Sequence, residues 1–149
     1  MDMCSINPAY LGKKYRYAYA CGAQRPCNFP NTITKIDLEQ KKAKNWYEEG
    51  SVPSEPFFVA RPGAKKEDDG VVISMVSDKN GEGYALMLDA STFQEIARAK
   101  FPYGLPYGLH GCWDISSSSE IEPEEIETVP ILSSSSPMQF FFVDLSVMF

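Results

Sequence analysis

The chain of 149 residues contains one histidine, His110. A site built from several imidazoles therefore cannot come from this chain alone. Cysteine is scarce as well: Cys4, Cys21, Cys27 and Cys112 share no C-x-x-C spacing, which excludes a zinc knuckle and a thioredoxin-type redox pair. Four scattered cysteines with mostly apolar flanks fit free thiols in a reducing compartment. Positive charge is thin, with 14 Lys and Arg against 20 Asp and Glu, a net charge of −6 and a pI near 4.8. Phosphate binding needs clustered cations, and the only dense groups, Lys41-Lys42-Ala43-Lys44 and Lys65-Lys66, read as solvated strand ends or turns. No nucleic-acid partner is expected. No apolar run approaches the length of a membrane span, and Met1-Asp2-Met3-Cys4 resembles neither a secretory signal nor a transit peptide, so no targeting segment is expected in this chain. Helical periodicity is nearly missing too, with Ser91 to Glu95 offering one turn at most.

What is present is β punctuation. Hydrophobic residues make up 44% of the chain and aromatics 13%, enough to fill the core of one modest domain. Tyr15 to Ala20 alternates strictly and would place three tyrosines on one face; Ile33 to Leu38 mostly alternates. Further strands are expected at Ala43–Tyr47, Pro56–Ala60, Val71–Val76, Tyr84–Leu88 and Ile96–Phe101, each bounded by Gly, Pro, Asn or Asp. Asp78-Lys79-Asn80-Gly81 predicts a hairpin between two of them, with Asn-Gly supplying the positive φ angles of a type I′ turn. Short strands recurring at regular spacing point to an all-β sandwich, barrel or propeller.

The character changes after Trp113. Ser116 to Ser119, Glu120 to Glu127 and Ser133 to Ser136 are serine-rich or acidic, and Phe140-Phe141-Phe142-Val143 leads to an apolar end. Residues 114–149 are expected to form a disordered tail outside a folded unit spanning residues 1–113. A short hydrophobic docking segment is the alternative, although it lacks a basic flank.

Chemistry is concentrated in two places. His110 lies in Pro102 to Trp113 with Gly108 and Gly111 close on either side, so the backbone there can turn tightly and push the imidazole toward a fixed point. It is either a ligand or a packed turn residue. Glu67-Asp68-Asp69-Gly70 clusters carboxylates, but a calcium site wants alternating oxygen ligands closed by a bidentate group, and this block stops at a glycine. A polar turn before the Val71–Val76 strand is the expected role.

Five blocks occur together in one order: Ser54-Glu55-Pro56-Phe57-Phe58-Val59, Glu67 to Ser74, Leu88-Asp89-Ala90, Ala97-Arg98-Ala99-Lys100 and Pro106-Tyr107-Gly108-Leu109-His110-Gly111. They resemble the C-terminal end of the carotenoid cleavage dioxygenases, over most of residues 5–113. Cys4 to Pro8 and Ala18 to Pro26 resemble more narrowly the plant branch that forms carlactone, the strigolactone precursor. The resemblance implies a seven-bladed β-propeller carrying Fe(II) on four histidines, with His110 matching the last of the four. Four neutral imidazoles leave the ion's charge uncompensated, so carboxylates that accept the outer N–H of ligand histidines orient the rings and offset charge. Glu55 matches one such carboxylate, and which histidine it holds is open. O2 would add across a double bond of a carotenoid or apocarotenoid polyene and split it into two carbonyl products. Phe57, Phe58, Tyr103 and Tyr107 either line an apolar substrate tunnel or pack a core. A plastid location follows from the same resemblance.

Three of the four expected histidines are missing from this chain, and its seven or so strands fall short of seven blades. The tail does not resemble the family's ending. Two readings remain: the C-terminal part of an iron dioxygenase, inactive and unable to retain iron without its missing blades, or a non-enzymatic β-rich interaction module or truncated gene product.

Overall fold

A computed structural model describes residues 1–108 and 110–111 of the chain. The expected boundary at residue 113 and the expected tail, including Phe140 to Val143, lie outside the described residues. Met1–His110 forms one compact unit.

The unit is all-β. The first sheet is an antiparallel meander of β1 (Asp2–Ser5), β2 (Tyr17–Gly22), β3 (Thr32–Asp37) and β4 (Lys42–Tyr47), in that order. The second contains β5 (Val52–Pro53), β6 (Phe57–Ala60), β7 (Gly70–Ser77), β8 (Gly83–Asp89) and β9 (Glu95–Lys100). β5 and β6 lie along the same edge of β7, pairing with its two ends, so the sheet has four strand positions with one of them broken at residues 54–56. Pro56 causes the break, because it has no N–H to give the ladder and pulls the preceding residue into its own extended geometry.

Alternation decides what meets in the core. In β2, Tyr19 faces the second sheet and packs with Ile33 of β3, while Val72 and Val76 of β7 stand beside Leu88 and Tyr84 of β8 in register. Tyr19 stacks on Phe58 at 5.6 Å and on Phe93 at 6.3 Å, which ties the two sheets together through rings. Burying Tyr19 and Phe58 fully contributes about 1.5–3 kcal/mol each. The outer strands β4 and β9 are largely exposed and carry Lys42, Lys44, Arg98 and Lys100, charges that discourage pairing with another edge.

Two local expectations are corrected. Tyr15 lies before β2 and is exposed, so two tyrosines rather than three share the inner face. The β7–β8 hairpin is a five-residue loop in which Gly81 alone has positive φ (79°); Asp78 Oδ1 accepts from the N–H groups of Asn80 and Glu82, and this side-chain bracket replaces a two-residue I′ turn. Ser91 to Glu95 goes no further than the one turn expected: Phe93 N–H donates to Asp89 O at 2.7 Å, Asp89 Oδ1 accepts from both the N–H and the hydroxyl of Ser91 and Thr92, and Phe93 takes a left-handed φ of 58° that drops its ring into the core. Burial of that ring offsets the backbone cost, which is of order 1–3 kcal/mol. Two short strands, β1 and β5, were not expected, being too brief to show a period.

The acidic block is the expected polar turn before β7, closed by Asp69 N–H donating to Lys66 O at 3.3 Å, and its carboxylates are all engaged. Glu67 Oε1 accepts from the N–H groups of Arg16 and Tyr17 at 2.7 Å each, Asp68 pairs with Lys35, and Asp69 pairs with Arg61.

Candidate functional site

The break between β5 and β6 leaves Ser54, Glu55 and Pro56 off the ladder while fixing their backbone. Ser54 N–H donates to Met75 O at 2.7 Å, and Ser54 O accepts from Ser74 Oγ at 2.8 Å and Cys21 Sγ at 3.2 Å. Pro56 O accepts from Ser5 Oγ at 2.7 Å. Glu55 thus projects from a segment held on both sides, with 19% of its side chain exposed.

The segment after β9 runs back along this sheet. Phe101 N–H donates to Gly83 O at 2.9 Å, Ser77 Oγ donates to Leu105 O at 3.0 Å, and Gly108 N–H donates to Ser54 Oγ at 3.3 Å. Leu105 sits so close to the start of β8 that a Cβ on Gly83 would meet its Cγ at 2.5 Å; glycine there is a requirement of close approach. Tyr107 packs a tilted ring on Phe29 at 5.0 Å. The run ends with His110, whose Nδ1 lies 3.4 Å from Glu55 Oε2 and whose side chain is 74% exposed.

The two residues singled out by sequence, His110 and Glu55, are therefore neighbours across 55 positions of chain. Cys21, beneath Ser54, was not singled out: burial, and then the nearby Glu55 charge, pushes its thiol up to about 12. Ser54 was not singled out either, though its place beside Glu55-Pro56 was a visible signal.

The four aromatics do not gather. Phe58 is committed to the core against Tyr19, and Phe57, on the opposite face of β6, is half-buried. Tyr107 is half-buried, and Tyr103 is exposed and stacks on Phe101. A shallow surface groove of about 330 Å³ over β3 and β4 contains none of these residues.

Among the described residues no three His, Cys, Asp or Glu side chains cluster as a metal cage. One outward imidazole backed by one carboxylate can supply a single ligand with its orienting partner, and a closed iron site needs more.

The family described as retinal pigment epithelial membrane protein, RPE65, matches residues 1–114. The rice (Oryza sativa subsp. japonica) protein named carotenoid cleavage dioxygenase 8 homolog A, chloroplastic, is 81% identical over 113 residues, covering 76% of this chain and 20% of its own length. Arabidopsis thaliana carotenoid cleavage dioxygenase 8, chloroplastic, is 74% identical over the same shares. Cobalt-substituted Synechocystis apocarotenoid oxygenase matches with a TM-score of 0.72 and 30% identity, over 76% of this chain and 25% of that one. The chain spans about a fifth of the length of the curated relatives it matches.

Proposed function

We infer that this chain, which belongs to the retinal pigment epithelial membrane protein (RPE65) family, contributes one corner of the iron site of a plastid carotenoid-cleaving dioxygenase. The observation that carries the reading is the 3.4 Å approach of His110 Nδ1 to Glu55 Oε2. With its proton on Nδ1, the imidazole donates to the carboxylate and leaves the Nε2 lone pair facing outward, the state a metal ligand needs. Glu55 orients the ring and offsets part of the cation's charge. When bound, Fe(II) supplies the O2 chemistry that cleaves a double bond of a conjugated carotenoid or apocarotenoid.

The relatives are named carotenoid cleavage dioxygenases and chloroplastic, and one structural neighbour is named as cobalt-substituted; these support the metal, the substrate class and the plastid. The carlactone-forming branch of strigolactone synthesis is the reading favoured for the reaction, on the identity to the two plant enzymes. Phe57, Tyr103 and Tyr107 are the aromatics left outside the core to meet an apolar polyene, Tyr103 stacked on Phe101 and Tyr107 packed on Phe29, since Phe58 is occupied by the core. By itself the chain, with one histidine, is expected to bind no stoichiometric iron and to cleave no carotenoid.

The test is His110→Ala in a complete dioxygenase carrying this segment. Iron content and turnover should both be nearly lost, whereas Glu55→Gln, which can still accept the N–H, should weaken metal binding about 10- to 100-fold. Normal iron and turnover in the alanine variant would make His110 a turn residue and overturn its place in the iron site.

A further inference from the structure

We propose that Ser54 is a positioning residue for His110, its hydroxyl tethering the backbone of the His110 segment while the adjacent Glu55 holds the ring. The consequence for the metal rests on the reading above; the tether itself does not.

Ser54 is suited to hold something else because it is itself held. It is buried at 9% exposure. Its N–H is committed to Met75 O of β7, and its carbonyl accepts from Ser74 on the same strand and from Cys21 on β2. Three bonds to two sheets leave the Cα little freedom, and a serine side chain has one heavy-atom torsion left. Its Oγ then accepts the Gly108 N–H at 3.3 Å, two residues before His110.

The neighbouring tethers show why this one counts. Upstream, Phe101 and Leu105 are bonded to Gly83 and Ser77. Between Leu105 and His110 the chain crosses from the hairpin end of the sheet to the break between β5 and β6, and the Gly108 bond is a backbone tie at that crossing. A contact to the ring alone at 3.4 Å lets the backbone swing and carry the imidazole with it. A second anchor on the backbone converts a pivot into a bracket. Ligand geometry must hold to within about 0.5 Å and 10–20°, and residues that orient ligands typically alter metal affinity about 10- to 100-fold when removed. Consecutive residues, Ser54 and Glu55, thus fix the backbone and the ring of one ligand.

The experiment begins with the 149-residue chain, with no metal present. In Ser54→Ala, hydrogen exchange at the Gly108 amide should rise at least about tenfold and the His110 ring resonances should show added mobility, while exchange in β7 and β8 stays unchanged. Ser54→Thr, which keeps the hydroxyl, should restore both. If Ser54→Ala loosens β7 and β8 as well, Ser54→Cys reads the same contact at nearly constant volume with a weaker acceptor. Unchanged Gly108 exchange and His110 mobility in both variants would overturn the proposal. In a complete dioxygenase, Ser54→Ala should release iron to a chelator about tenfold faster, with Ser54→Thr close to normal. Loosening in the short chain with no iron loss in either Ser54→Ala or His110→Ala supports the tether and overturns the metal reading. Iron loss in His110→Ala with no response to Ser54→Ala in either protein overturns the tether and keeps the metal reading.

Discussion

Lys35 Nζ lies 2.7 Å from Asp68 Oδ2, joining the middle of the first sheet to the loop between β6 and β7 of the second. The same ammonium donates to Ala90 O at 2.6 Å and Ser91 O at 3.2 Å, and it stands 4.2 Å from the centre of the Tyr17 ring. Both charged side chains are mostly withdrawn from water, at 8% and 15% exposure. A buried cation with three oxygen partners on two loops sets how the sheets dock, because a shifted docking would strand it without partners.

Lys35→Met should therefore destabilise the chain by about 3 kcal/mol, since it leaves the Asp68 carboxylate and two carbonyls without their donor. Urea denaturation of the 149-residue chain measures this. Adding Asp68→Asn should recover part of the loss, and a loss below about 0.5 kcal/mol for Lys35→Met alone would show that water replaces the ammonium freely.

Tyr19 gives the opposite sign. Its ring is fully buried, but its hydroxyl has no hydrogen-bond partner among the described residues, and burial pushes the phenol well above its usual range. Tyr19→Phe removes a polar atom that gains nothing in the fold and should be neutral or stabilising by about 1 kcal/mol, while Tyr19→Ala, which deletes the stack on Phe58 and Phe93, should cost about 3–5 kcal/mol. Thermal melts of the two variants decide it; a clear loss in the phenylalanine variant would mean that the hydroxyl is bonded in solution.

Cys21 should be chemically silent at neutral pH. Its thiol is raised from 9.0 to about 12, chiefly by burial, so the fold favours the protonated form. A raised acid contributes stability that is complete below its unfolded value and is lost as pH climbs toward the folded one, here between about 9 and 12. Iodoacetamide at pH 8 should label the exposed Cys4 and Cys27 and spare Cys21 until urea unfolds the chain. Peptide mapping that finds Cys21 labelled as fast as Cys4 would show that the Ser54 segment opens readily.

The strands that sequence made legible are those long enough to repeat. β2, β3, β4, β6, β7, β8 and β9 each show their period or their apolar run, and the structure places them within a residue or two of expectation. β1 and β5 carry no such signal. Ser91 to Glu95 permits one turn by composition and the structure stops there, since the four bonds at Asp89 Oδ1 and the burial of Phe93 end it and a single isolated turn nucleates poorly. Asn80-Gly81 marked the hairpin correctly and its turn type wrongly, because Asp78 three residues before Gly81 supplies acceptors that a dipeptide rule does not see.

His110 and Glu55 were identifiable one at a time, by residue type and by the wording of the blocks around them. Their meeting was not. Local pattern determines which residues alternate, where proline must interrupt a ladder and which side chains can ligate a metal, since those depend on a few neighbouring bonds. Which carboxylate reaches which imidazole depends on how the segment after β9 runs back along the second sheet, and that path is set by Leu105 against Gly83, Ser77 on Leu105 and Ser54 on Gly108. Those contacts join residues more than twenty positions apart, so only the packed tertiary structure could bring Glu55 to His110.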